Sequence, residues 1–544
     1  MPAWPRTTGL SRRELLAAGA ATAAAGLAPH PAAPASAAPA PAPELPAFEL
    51  EEMGVAELSA GLGSGRFTAV GLAEAYLGRI EQLDGQLRSL IEVNPQAREL
   101  AEQSDGERRA GRVRGPLHGI PVLIKDNIAT ADRMETTAGS LALVGQRPTH
   151  DAFVVTRLRE AGAVILGKTN LSEWANFRSS QSSSGWSGRG GQCRNPYALD
   201  RSPCGSSSGT GAAISASLAT LGVGTETDGS ITCPSHVCGL VGIKPTVGLV
   251  SRTGIIPISW SQDTAGPMCR TVADAATLLA VLAGEDPRDP ATAALLRRPP
   301  LDFTGSLDPA GLAGARLGVA RKHFFGYSPE ADTVIEEALG ALARSGAVLV
   351  DPADIPNADD YGDEEYEVLL YEFKAGLNAY LAALPPGQGP RTLRDLIAFN
   401  QQHADTEMKY FGQEIFLLAQ KKGPLSDDAY RKAREKCIKL SRRKGLDEVL
   451  DKHRLDALVA PTGGPAWTID LVNGDHYLGS FSQPAAVAGY PHVTVPAGFA
   501  FGLPVGLSFV GRAWSEPLLI KLAFAFEQAT RHRRPPRLRP TAAL

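Results

Sequence analysis

The sequence predicts an α/β layer structure, on three observations. Short apolar runs suited to buried strands, such as Ile120-Pro121-Val122-Leu123-Ile124 and Ala163-Val164-Ile165-Leu166, alternate with segments of helical period. Two Gly/Ser-rich turns lie between such elements, where α/β folds carry their chemistry. The composition, 43% hydrophobic and 21% charged over 544 residues, is that of a globular chain able to bury a large core.

The elements follow in order. Ser11-Arg12-Arg13-Glu14-Leu15-Leu16 sets paired arginines before a short Ala-rich apolar run, and Ala35-Ser36-Ala37 follows as a small-residue exit. Residues 1–37 therefore read as a twin-arginine-type export signal, too short to span a bilayer, so the mature chain is expected to be exported and free of the membrane. A Pro/Ala-rich linker is expected over 38–49. Residues 50–110 read as helices, with apolar positions at Leu72, Ala75, Tyr76, Ile80 and Leu83. A strand over 119–124 ends at Lys125-Asp126-Asn127, a helix covers 151–161, and a second strand covers 163–168.

From 177 to 208 the chain turns to Ser, Gly and Arg. Trp186, Cys193 and Pro203 interrupt it, which favours an ordered loop system over a flexible linker. A small-residue helix is expected over 210–221, a surface excursion over 285–310, and a charged, mostly helical region over 310–455. Strands return at 455–460, 492–496 and 505–510. One domain over 50–535 accounts for all of these.

Charge and cysteine content exclude several functions. The net charge of -4 argues against a nucleic-acid binder, and the basic run Arg531-His532-Arg533-Arg534 reads as a solvated tail. Six cysteines in 544 residues require no disulfide framework. Cys233 and Cys238 with His236 between them lack the second pair of a metal site, so buried small hydrophobes are expected there. His118 and His236 are expected to be structural. Metal, nucleotide and flavin fingerprints are absent, and no cofactor is expected.

Two turns can supply a nucleophile and convergent backbone donors: Cys204-Gly205-Ser206-Ser207-Ser208-Gly209 and Gly224-Thr225-Glu226-Thr227-Asp228-Gly229-Ser230-Ile231. The first matches Gly-x-Ser-x-Gly with Ser207 as the elbow serine. That motif needs a strand directly before it, and Pro203 makes Arg201-Ser202-Pro203-Cys204 a poor one.

These turns, with Gly119-Ile120-Pro121-Val122-Leu123-Ile124-Lys125-Asp126-Asn127, Gly239-Leu240-Val241-Gly242-Ile243-Lys244-Pro245-Thr246 and Gln262-Asp263-Thr264-Ala265-Gly266-Pro267, resemble the amidase signature family. The dense part of the match covers about 113–285. The resemblance implies a large mixed, twisted β-sheet covered by helices on both faces, and hydrolysis of carboxamide bonds through a serine acyl-enzyme. It implies a Ser–cis-Ser–Lys triad of Ser230, Ser206 and Lys125, with Ser207 and Ser208 as compositional alternatives for the bridge. The oxyanion hole it implies is the backbone N–H groups of Thr227, Asp228, Gly229 and Ser230. Asn127 and Asp126 either position the lysine or form a turn. A lysine base must be neutral, so Lys125 is expected to be buried.

Among branches of the family, the runs from 224 to 234 and 245 to 267 look most like peptide amidases, which implies a C-terminal peptide amide as substrate and ammonia as product. An aliphatic or aryl amide is the alternative. The glutaminase subunit of a tRNA-dependent amidotransferase shares the motifs, but an export signal separates this chain from cytosolic tRNA. An exported, non-catalytic binding protein on the same fold is the reading from another class.

Overall fold

Pro121–Lys125, Val164–Thr169 and Leu221–Glu226 are buried along their whole length, the mark of strands covered on both faces. The computed structural model describes residues 45–387 and 389–543. The export signal expected over 1–37 lies outside the described residues, as does most of the linker expected over 38–49. Leu45 and Phe48, at the end of that linker, pack against the core, and Phe48 meets Tyr76 edge-on at 5.5 Å.

The strands run β1 (Leu90–Val93), β2 (Pro121–Lys125), β3 (Val164–Thr169), β4 (Trp186–Ser187), β5 (Gly191–Gln192), β6 (Leu221–Glu226), β7 (Val241–Lys244), β8 (Thr264–Cys269), β9 (Arg316–Val319), β10 (Val348–Val350), β11 (Ala457–Pro461), β12 (His492–Ala500) and β13 (Leu503–Val510). Eleven of them form one sheet in the order β1-β3-β2-β6-β8-β7-β12-β13-β11-β9-β10, and β4 and β5 form a separate ribbon. The sheet is mixed. β3, β2 and β6 run parallel, as do β11, β9 and β10, while antiparallel pairs join the two parallel groups.

Alternation along β11 shows both faces covered. Ala457 and Val459 pack into the main core with Val334, Ile335, Leu519 and Ile520 of the helices Pro329–Arg344 and Glu516–Thr530. Leu458 and Ala460 face a second cluster with Leu446, Val449, Leu450 and Ala485. All described residues belong to one compact unit. Among them, no helix is long and apolar enough to cross a membrane.

Several expectations need correcting. The helical stretch expected over 50–110 contains β1, a four-residue strand too short and half-buried to show a period. The small-residue helix is Ser208–Ser215 and ends before 221, where β6 begins. Gly224, Thr225 and Glu226, expected in a turn, are the end of β6, so the turn starts at Thr227. The C-terminal basic run is not all solvated. Arg533 bonds both oxygens of Glu52 at 2.7 Å and the carbonyls of Gly239 and Ser215. Beyond it, Leu538 N–H donates to Pro196 O at 2.9 Å.

Candidate active site

In the parallel trio β3-β2-β6 the strands end together, and ligand sites of parallel sheets form at such carboxyl ends. Lys125 closes β2, and Thr225 and Glu226 close β6 beside it, with Ile124 opposite Val223 in the register. The two Gly/Ser turns follow from these ends. Gly205 brings the first turn close to the loop after β3, since a Cβ there would lie 2.1 Å from Ser172 Oγ. The Gly205–Ser206 peptide is cis. Gly229 adopts φ +78°, a left-handed conformation that turns the chain back at Ser230. Backbone bonds tie the first turn to the second, with Ser207 N–H donating to Ser230 O at 3.2 Å, and to the loop after β3, with Ser172 N–H donating to Ser206 O at 3.1 Å.

Lys125 is wholly buried, and its Nζ lies 2.7 Å from Ser206 Oγ, 2.9 Å from Thr225 Oγ1 and 3.3 Å from Thr225 O. Burial pulls its pKa from 10.5 down to about 7, against the opposing pull of the Glu226 and Asp263 carboxylates. Two other lysines are buried and also depressed, each to about 8, but they are committed elsewhere. Lys168 donates to Ile128 O at 2.6 Å and Thr136 Oγ1 at 2.8 Å, and Lys244 to Pro245 O at 3.1 Å. Among the buried lysines of the described residues, only Lys125 meets a serine hydroxyl, so geometry singles it out before any titration argument.

Ser206 and Ser207 divide cleanly. Ser207 Oγ donates to Thr225 O at 3.0 Å and accepts from Thr225 N–H at 3.2 Å, which ties the turn to β6. Ser208 Oγ donates to Cys204 O at 2.6 Å. Ser206 is thus the member of the serine run that faces the lysine. Ser230 sits on the second turn with 8% of its surface exposed. Among the described residues, nothing accepts a hydrogen bond from the backbone N–H of Thr227, Asp228, Gly229 or Ser230. The next two N–H groups, of Ile231 and Thr232, are taken by Glu226 Oε2 at 2.7 and 2.9 Å.

Sequence reasoning missed three contributors. Thr225 accepts from both Lys125 and Asn127, the latter at 3.0 Å. Its alternation with Thr227 at the end of β6 was the available signal. Glu226 orders the second turn from within. Cys204 and Cys233 form a disulfide across the two turns, in place of the buried hydrophobe expected at Cys233. The other four cysteines are buried and free. Asp126 does not touch Lys125; it accepts from Thr137 and Gly139 and lies 3.8 Å from Arg189. His236 is fully used within the fold, accepting from Gly506 N–H and meeting Gly464 O, each at 2.8 Å, and burial lowers its pKa to about 4.

Two cavities reach the turns. The larger, about 540 Å³, is lined by Gly205, Asp228, Gly229 and Ser230 and by Trp467 and Tyr477 farther out. The smaller, about 370 Å³, is lined by Ser206, Asn127 and Thr225 and by Ile255, Trp260 and Tyr380.

Comparison with known proteins agrees with this geometry. Residues 71–520 match the family described as Amidase. A probable amidase of Arabidopsis thaliana is 42% identical over 499 residues, covering 90% of this chain and 92% of its own. The native peptide amidase of Stenotrophomonas maltophilia superposes with TM-score 0.86 at 54% identity, covering 90% of this chain and 99% of its own. The peptide amidase PAM, solved in complex with the competitive inhibitor chymostatin, superposes with TM-score 0.87 at 54% identity over 90% of this chain and all of its own. The chain belongs to the amidase family and is a hydrolase of carboxamide C–N bonds.

Proposed function

We propose that this amidase removes the C-terminal amide of peptides as ammonia, through an acyl-enzyme on Ser230. The observation that carries the reading is a buried, near-neutral Lys125 at 2.7 Å from Ser206 Oγ, beside a turn whose four N–H groups have no protein acceptor among the described residues. Neutral Lys125 takes the Ser206 proton as Ser206 takes that of Ser230, and Ser230 Oγ attacks the amide carbon. The developing oxyanion draws on the N–H groups of residues 227–230. The same relay returns a proton to the departing nitrogen, and water then cleaves the ester.

Two features support a peptide acyl group. The solved peptide amidases, one of them with a peptide-like inhibitor, share 54% of residues with this chain. The larger cavity at Ser230 sets Phe177, Ile415, Trp467 and Tyr477 beside Asn176, Ser482 and Gln483, which gives an extended peptide acyl group both apolar surface and hydrogen-bonding partners. Ammonia release from a peptide amide, beside glutamine and a simple aryl amide, tests the reading with Ser230→Ala as control. Selective release from the peptide amide is expected; turnover of the small amides alone would refute the peptide assignment. The paired arginines and apolar run of residues 11–28 support export of the mature enzyme, which fractionation of the producing cell checks.

A further inference from the structure

The two cavities share Ala175, Thr227 and Ile258, and each is lined by different residues of the two turns. Ser230, Gly229 and Asp228 line only the larger, and Ser206 only the smaller. Taking Ser230 as nucleophile and Ser206 as relay, as proposed above, this division assigns the two halves of the scissile bond. The acyl group lies with Ser230. The nitrogen must approach Ser206 to collect its proton, and anything it carries extends into the smaller cavity.

Ammonia does not require such a space. A water-sized molecule occupies about 30 Å³ of liquid, whereas this cavity offers about 370 Å³. Its wall is largely apolar: Ile255, Ile256, Pro257, Trp260 and Tyr380. Glu226 and Asp263 also line it, and both accept from backbone N–H and hydroxyl groups, while its two arginines are already paired with carboxylates. Arg252 holds Asp289 through Nε at 2.6 Å and through a second nitrogen at 2.5 Å, and Arg288 bonds Asp286 at 3.0 Å. No unpaired cation is left to receive the carboxylate of a departing amino acid.

We propose that the smaller cavity is a leaving-group subsite, and that the enzyme also hydrolyses N-substituted amides whose amine carries an apolar alkyl or aryl group. In the first step the Ser230 Oγ–carbon bond forms and the carbon–nitrogen bond breaks. The proton lost by Ser230 passes through Ser206 to the amine, which leaves neutral. Water then adds to the ester, giving the carboxylic acid and free Ser230.

One peptide acyl group with three leaving groups tests this: ammonia, benzylamine, and glycine bearing a free carboxylate. Each release is followed with the same purified enzyme. The benzylamide is expected within about tenfold of the primary amide in kcat/KM, and the glycine compound at least a hundredfold below it. Ala379→Phe, which fills the lining, is expected to lower the ratio of benzylamide to primary-amide kcat/KM by tenfold or more. Release of ammonia with no release of benzylamine overturns the subsite and leaves the proposed function standing. Failure of all three substrates overturns the reading of Ser230 on which the subsite rests. An unchanged ratio in a folded Ala379→Phe protein places the benzyl group elsewhere and overturns the assignment of this cavity.

Discussion

Lowering the assay from about pH 8 to about pH 5 should remove Lys125 from its working state. The structure sets both the position and the depth of the effect. Nζ is wholly buried, and its pKa falls from 10.5 to about 7. At roughly 1.4 kcal/mol per unit, burial shifts the balance towards the neutral amine by about 5 kcal/mol. About half of the enzyme is then competent at pH 7, roughly a tenth at pH 6 and roughly a hundredth at pH 5, and kcat/KM should fall tenfold per unit below the limb. A lysine at its ordinary value would leave only about one molecule in three thousand competent at pH 7. The assay is initial-rate ammonia release across pH at constant ionic strength, with substrate well below KM. One competing group lies nearby: Asp263, whose pKa burial raises to about 6 and which accepts from Thr227 Oγ1 at 2.6 Å. Asp263→Asn separates the two. Its carboxylate holds the Lys125 value up, so its removal should move the limb to lower pH. A limb that disappears in Asp263→Asn, or a flat profile down to pH 5, refutes the assignment of Lys125 as the base.

The same burial predicts an exchange of activity for stability. Between about pH 7 and 10.5 the unfolded chain holds a proton on Lys125 that the folded chain has lost, so wild-type stability should rise with pH across that window. Lys125→Met should abolish turnover yet raise the unfolding free energy near pH 7 by about 2–4 kcal/mol, after allowance for the unpaired Ser206 and Thr225 groups; denaturant titration at two pH values checks it. Ser206→Ala should cost at least about a hundredfold in kcat. Ser207→Ala should keep most activity and lose about 1–3 kcal/mol of stability through its two bonds to Thr225, which paired kinetic and melting measurements distinguish. Arg178 is buried 2.9 Å from Glu173, with the Phe411 ring 4.3 Å away. Arg178→Met leaves Glu173 and Glu407 uncompensated and should cost about 3–5 kcal/mol, read as a fall in Tm.

What the sequence disclosed follows the range of the interactions involved. The buried strand before Lys125 is legible from its apolar run, whereas the role of Lys125 as base is implied by the family resemblance and not by that run. The two glycine turns are equally local. Thr225 is not, since its contact with Lys125 joins residues a hundred apart through the parallel pairing of β2 with β6. The sequence leaves Asp126 open between positioning the lysine and forming a turn, and adjacency cannot decide it; it lies just past the end of β2 and accepts from Thr137 and Gly139. The four-residue β1 carries too few positions to show a period. The Arg533–Glu52 pair spans nearly the whole chain, and composition alone cannot distinguish a pinned arginine from a solvated one.

The Cys204–Cys233 bridge gives the site a dependence on its history of oxidation. It closes a 29-residue loop between the turns bearing Ser206 and Ser230, a closure that stabilises a fold by about 3–4 kcal/mol in the chain-entropy picture. Where thiols stay reduced, the same sequence must register those serines with hydrogen bonds such as Ser207 N–H to Ser230 O alone. Two preparations with identical masses, apart from two hydrogens, can therefore differ in how firmly nucleophile and relay are held together. Thiol titration belongs beside every rate constant measured on this enzyme.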